Sequence, residues 1–357
     1  MDDLYIRFYL AVLISSVIAA RAFRRKSVDL SGVAAGIPVM VIHTVAGYRF
    51  AVLLLVFFFS SSKLTRVGEE KKRAVDAEFK EGGQRNWKQV LANSGIASIL
   101  LIILATLANG QDRCLDTNES KIITSLMGGI IGHYACCNGD TWSSELGILS
   151  ITQPRLITTF KVVRKSCNLE DCWERTMAET EWKEAGAELL LLRRKVGRQE
   201  LAVTLKEADK QLWANTSVLE ANSQLRQFSG VTVPKGTNGG ITLDGLLAAT
   251  VAGIVIGVPF ILVGLITAEC SANVAWRQLL VVPVAAFAGL FGSLLDSFIG
   301  ATLQFSGYCS VRKKVVAKPG PTVVKISGMN ILDNNSVNMV SVLLTSLLTS
   351  IACIYIF

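Results

Sequence analysis

Apolar runs alternate with short polar loops along most of this chain. Runs at 4–20, 31–60, 90–109, 122–138, 243–268, 277–302 and 339–357 are almost free of charge. A helix needs about 20 residues to cross a bilayer core, so 31–60 overshoots. It reads as two short or tilted helices turning near Ala46–Tyr48. That makes eight helices; without the turn there are seven. Basic loops decide between the two counts. Arg21, Arg24, Arg25 and Lys26 follow the first run, and 63–89 carries eight basic against five acidic residues. Arg312, Lys313, Lys314, Lys318 and Lys325 follow the sixth run. All three loops fall on one side, the cytosolic one, only with the hairpin. The C-terminus then lies on the other side. Asp2 and Asp3 precede the first run and its bases follow it, the reverse of a cleaved signal peptide. Arg7 snorkels at the outer end of that run.

Composition agrees with this pattern. Of the 357 residues, 51% are hydrophobic and 18% charged, against about a quarter charged in soluble domains. The fold class expected is all-α, a multi-pass helical bundle of about 7–8 transmembrane helices. The net charge of +8 is explained by the topogenic loops, so no nucleic-acid partner is expected. The eight cysteines are scattered without ligand spacing, which supports neither a zinc site nor a disulfide framework. His43 reads as a packing or interfacial histidine. Gly128-x-x-x-Gly132 and Gly253 to Gly257 offer faces for close helix packing.

The chain divides into three regions: 1–164, with membrane helices and the loop 63–89; 165–230, a charged cytosolic insertion of one or two exposed helices (173–198 and 201–227); and 231–357, with the remaining membrane helices.

Two polar stretches at the ends of the middle segment carry the chemistry. Gly139-Asp140-Thr141-Trp142-Ser143-Ser144-Glu145-Leu146-Gly147 closes the run at 122–138, and Lys235-Gly236-Thr237-Asn238-Gly239-Gly240 opens the run at 243. Carboxylates at one mouth suit a divalent metal, and clustered amides before a helix suit a phosphate. Asp140, Glu145, Asp296 and Asp333 are acids near cytosolic helix ends. Asp140 and Ser144 share a face if a helix begins there, with Glu145 a further ~100° round, so both acids share a metal only from a non-helical Asp140. Gly236, Thr237, Asn238, Gly239, Gly240 and Lys161 are the phosphate-binding candidates, with Lys235 and Arg155 able to neutralise charge. Gly289, Gly292, Asp296, Gly300 and Gln304 line one helix face, which directs Asp296 to protein or a cleft because lipid exposure is costly. The competing reading is two polar helix ends with turn glycines.

The same stretches resemble the transmembrane protein 19 family. The likeness rests on Gly139 to Gly147, Pro154 to Thr159, Gly236 to Thr242, Gly292 to Ser297 with Gly300 to Gln304, and Ile331 to Asn335. Ser62 to Thr65, Gly68-Glu69 and Gln89 to Asn93 carry it further. It covers nearly the whole chain outside 165–230. That insertion departs from the family, and reads as a lineage-specific loop or as retained non-coding sequence. The family includes the plant phytyl-phosphate kinase, and the paired motifs are similar, more distantly, to CTP-dependent polyprenol kinases such as dolichol kinase. The resemblance implies a kinase-like membrane site for an isoprenoid alcohol or isoprenyl phosphate, using Mg2+ and a nucleoside triphosphate (CTP or similar). In that reading Asp140, Glu145 and Asp296 are catalytic, Asp140 and Glu145 hold the metal, and the partner is a membrane lipid. The membrane expected is an endomembrane such as the endoplasmic reticulum. The alternatives are a membrane carrier and a non-catalytic scaffold.

Overall fold

The computed structural model describes residues 2–75, 77, 79, 81–159 and 231–357. Lys161 and the insertion expected at 165–230 lie outside the described residues. The membrane helices belong to one unit, made of Met1–Thr158 and Val231–Phe357.

The expected helical bundle is present. In chain order it contains α1 (Asp2–Arg24), α2 (Leu30–Ala46), α3 (Tyr48–Thr65), α4 (Glu69–Val75), α5 (Trp87–Ala92), α6 (Gly95–Leu107) and α7 (Lys121–Gly147). After the insertion come α8 (Leu243–Thr267), α9 (Ala272–Gln278), α10 (Val281–Leu303) and α11 (Asn334–Ile356). Five stretches are long and apolar enough to cross a membrane: Tyr5–Arg24, Tyr48–Thr65, Leu243–Thr267, Ala272–Leu303 and Asn334–Ile356. Leu30–Ala46 and Gly95–Leu107 are shorter apolar helices. The run 31–60 does break, with Gly47 between α2 and α3.

Helix α7 is the axis of the bundle, packed against α3, α6, α8, α10 and α11. It is more polar than its neighbours because it meets protein rather than lipid. His133 contacts the Asn93 carbonyl at 2.9 Å, and Tyr134 contacts His43, whose other ring nitrogen meets the Val39 carbonyl. Asn138 donates to the Ala252 carbonyl and accepts from Ser60 and Ser61. These bonds satisfy groups that hydrocarbon could not. Close approach comes from glycine. A Cβ on Gly139 would lie 2.5 Å from the Gly289 carbonyl oxygen, so α7 and α10 touch backbone to backbone there. Gly128 and Gly132 seat Cys353 and Thr349 of α11, and Gly253 and Gly257 seat α10.

Loops gather at two opposite ends. At one, Arg66 reaches the Arg25 carbonyl, and Val28 pairs with Arg85. Gly68 lies under Leu149, Val75 meets Gly236, and Lys314 donates to the Arg73 carbonyl. All three basic loops therefore share this end. At the other, Arg49 pairs with Asp112 and lies over the Phe50 and Phe260 rings, and Gln278 brackets Leu115.

Two expectations need correction at this level. Cys114 and Cys270, 156 residues apart, form a disulfide with Cα atoms 5.9 Å apart, where spacing had argued against any. The partners sit in two loops that only the packed bundle brings together. The basic stretch after α10 is not a plain loop but a three-stranded antiparallel sheet, β4 (Lys314–Val316), β3 (Ser306–Cys309), β5 (Val323–Ser327), with Tyr308 opposite Val315 and Val324. A smaller ladder pairs β1 (Arg155–Leu156) with β2 (Gly240–Ile241).

Candidate functional site

The motif at 139–147 is not the start of a helix. Helix α7 runs unbroken from Lys121 to Gly147, and the motif forms its last two turns. Glycine and aspartate in succession read as a terminus, yet here the glycine serves the contact with Gly289. Asp140 therefore lies inside the helix, and Glu145 projects ~140° away from it. The condition for one ion shared by these two acids, a non-helical Asp140, is not met.

Each acid has its own surroundings. Asp140 accepts no hydrogen bond and forms no ion pair among the described residues, and the charges of Asp296 and Glu145 act on it. Asp296, on α10, accepts from the Ser341 hydroxyl at 2.9 Å and from the Asn338 side-chain amide at 3.2 Å. Both donors come from α11. Glu145 turns to Lys72 of α4, 2.5 Å away. Lys72 is 3% exposed and also donates to the carbonyls of Leu64 and Thr65, which close the last turn of α3. Arg85 stands nearby, its Nη1 donating to Ser62 Oγ at 2.8 Å and its guanidinium over the Phe58 ring. Burial lowers its pKa, and the Glu145 charge offsets part of that. Asp333 is a helix cap: its carboxylate accepts from the Ser336 amide and hydroxyl, and those bonds hold its pKa below the ordinary value.

The glycine loop packs directly behind Asp296. Gly239, with φ of 79°, presses on the backbone at Ser297 and on Ala301; a Cβ there would lie 2.7 Å from the Ser297 carbonyl oxygen. Glycine is needed both for the left-handed backbone and for that approach. Three of the five amides are engaged within the protein: Thr237 to Pro234, Asn238 to Ser306 Oγ, and Gly240 to Thr237. Those of Gly236 and Gly239 donate to no acceptor among the described residues. Lys235 is tied to the Ser150 carbonyl.

Among the described residues no group of three or more His, Cys, Asp or Glu side chains could hold a metal. The pair Asp140 and Asp296 still suits Mg2+, which is bound by one or two carboxylates together with substrate phosphates rather than by a full protein cage.

A cleft of about 430 Å³ opens beside the mouth, between the end of α7 and the start of α8. Trp142, Leu146, Leu149, Leu247, Ala248 and Val251 line it, with Ser150 and Asp244 as its polar members. Sequence reasoning assigned no role to Lys72, Arg85, Ser341, Asn338, Ser150 or Asp244. Asn338 and Ser341 share a helix face at i, i+3, which was a usable signal; Lys72 was one base among eight in its loop.

Apolar helices arranged around a polar axial helix, with acids at one mouth, define a multi-pass integral membrane protein. The chain belongs to the family described as integral membrane protein DUF92, whose model matches residues 13–168 and 225–346. It is 54% identical over 351 residues to "Protein PGR" of Arabidopsis thaliana, covering 98% of each chain. It is 37% identical over 161 residues to an uncharacterized membrane protein of Methanocaldococcus jannaschii, covering 45% of this chain and 60% of that one. No solved structure matches. The family model leaves out most of the charged insertion, whereas the plant relative matches along nearly its whole length. An insertion of comparable length thus belongs to that relative too, which speaks against retained non-coding sequence.

Proposed function

We propose that this protein is a nucleoside-triphosphate-dependent phosphotransferase acting on an isoprenoid alcohol or isoprenyl phosphate, in an endomembrane such as the endoplasmic reticulum. One observation carries the reading. Among the described residues Asp140 and Asp296 lie together without a basic partner, and the Gly236–Gly240 loop abuts α10 immediately behind Asp296. A pair of uncompensated acids inside a bundle is costly, and a cation relieves it. Bound Mg2+ would supply charge neutralisation for transferring phosphate oxygens. Asp140 and Asp296 would hold it, and the amides of Gly236 and Gly239 would face the phosphates. Lys161, which lies outside the described residues, is a further phosphate-binding candidate by resemblance to the transmembrane protein 19 family. Glu145 acts on this centre through charge while it remains bound to Lys72.

The test is transfer of label from γ-labelled CTP or ATP to prenols and prenyl phosphates by purified protein in nanodiscs. Mg2+-dependent labelling is expected, with a loss of at least about 100-fold in Asp140→Asn and in Asp296→Asn, as for removal of a major electrostatic group. Absence of labelling with every nucleotide and prenyl acceptor would refute the reading. The same acid pair also suits a carrier, which would instead move solute into proteoliposomes without nucleotide.

A further inference from the structure

The cleft between α7 and α8 is not used by the acid pair. Trp142 and Leu146 point about 200–240° round α7 from Asp140, so the cleft lies on the opposite face of the axial helix. Its outer wall is the first three turns of α8, where Leu247 is 58% and Val251 47% exposed. Ile151, at the cleft's end, is 99% exposed. On a membrane-spanning helix such surface meets acyl chains, and at the start of the helix it meets them at headgroup depth.

Its polar end is built rather than incidental. Ser150, 5% exposed, donates its hydroxyl to Asp244 Oδ2 at 2.6 Å and receives the Thr152 amide at 3.2 Å. The Lys235 ammonium fastens the Ser150 carbonyl from behind and does not line the cleft. Asp244 does line it and is itself exposed. Among the described residues its Oδ1 has no hydrogen-bond donor. The chamber thus offers an apolar trough, a volume typical of small-molecule sites, and one carboxylate at the interface end. That carboxylate repels a phosphate head and accepts from a hydroxyl.

We infer that this cleft binds a single-chain lipid alcohol, with the chain along Trp142, Leu146, Leu247 and Val251 and the hydroxyl donating to Asp244. As an acceptor site it rests on the phosphotransferase reading. It then favours the free alcohol over the prenyl phosphate, because the Asp244 carboxylate at its polar end accepts from a hydroxyl and repels a phosphate. Binding itself does not depend on turnover.

The experiment is photolabelling of the full chain in phosphatidylcholine nanodiscs without nucleotide. Three diazirine probes are compared: a long-chain prenol, the same prenol as its monophosphate, and a diacyl phosphatidylcholine. The prenol should label peptides containing Trp142–Leu149 and Leu247–Val251 in preference to the other two probes. Asp244→Asn should weaken prenol labelling roughly tenfold, the scale of one hydrogen bond to a charged group, and leave the phosphate probe unchanged or improved. Val251→Trp should abolish labelling by filling the trough. Leu262→Trp, further along the exposed face of α8 and outside the cleft, should not, and serves as the folded control. Stronger labelling by the phosphate, equal labelling by phosphatidylcholine, or labelled peptides away from α7 and α8 would each overturn the inference. Prenol labelling at the cleft without phosphate transfer would retire the enzymatic reading alone; transfer without cleft labelling would retire this one alone.

Discussion

Removing Glu145 alone should cost more than removing both ends of its contact with Lys72. Lys72 Nζ has three partners: the Glu145 carboxylate at 2.5 Å and two carbonyls of the last turn of α3. The side chains are 4% and 18% exposed. Glu145→Gln leaves a buried ammonium with carbonyls alone. Losing one partner of a buried pair costs ~3–5 kcal/mol, and the two retained carbonyls bring the expectation to about 3 kcal/mol. Lys72→Met removes two carbonyl bonds at ~1 kcal/mol each. It leaves Glu145 partly hydrated and within the field of Arg85, for about 2 kcal/mol in all. The double variant has no stranded charge and should cost little more than the lost carbonyl bonds, again about 2 kcal/mol. The coupling is then ~3 kcal/mol, at the top of the range for contacting residues. SDS titration of the purified protein in mixed micelles, followed by circular dichroism, measures all four corners of the cycle. Additive losses would refute the pair as a latch. Stabilisation by Mg2+, read on the same variants, should survive Glu145→Gln if Asp140 and Asp296 carry the ion.

Gly139→Ala puts a methyl against backbone atoms of Gly289 that cannot rotate away. It should cost ~2 kcal/mol or more, whereas Gly36→Ala, with nothing within 4 Å, should be neutral or stabilising in the same titration. Cys270→Ser should lower stability by ~2–5 kcal/mol and abolish the link between fragments on non-reducing gels after cleavage at the insertion. Tags placed within 64–88 and 312–318 should be accessible from one side of the membrane, with the C-terminus and the loop holding Asp112 and Leu115 accessible from the other. Opposite sides for the first two would refute the packing of α4 against β4. The Asp333 cap should stabilise α11 fully above the ordinary carboxylate pKa of ~4 and fade as pH falls through the lower folded value. Asp333→Asn, a comparable N-cap, should remove that dependence in an acid titration of stability.

Local signals in the chain foretold much of the bundle. Charge-free runs marked the spanning helices, and Gly47 marked the break in 31–60. The Gly128/Gly132 and Gly253/Gly257 spacings marked faces that do meet α11 and α10. The face holding Gly289, Gly292 and Asp296 likewise turns inward. What escaped depends on contacts between distant segments. Gly139-Asp140 resembles a helix end in any local window, and only the facing Gly289 explains why the helix continues. The disulfide joins residues 156 apart, and Lys72 was chosen among the bases of its loop by the end of α3. Strand pairing at 306–327 was masked by lysines on short, irregular strands.

The disulfide between Cys114 and Cys270 has a mechanical meaning as well. Together with Arg49 and Asp112 it fastens the end of the bundle remote from the acids, and part of that fastening is covalent. At the acid-bearing end the ties that join the loops are hydrogen bonds, one ion pair and small apolar contacts among the described residues. Bond strengths are thus graded along the long axis of the bundle. The covalent tie lies at the end remote from Asp140 and Asp296, and the ties near those acids can be broken without breaking a bond in the chain. A disulfide between these two cysteines persists in an oxidising compartment, which ties the redox state of that end of the bundle to the side of the membrane it meets.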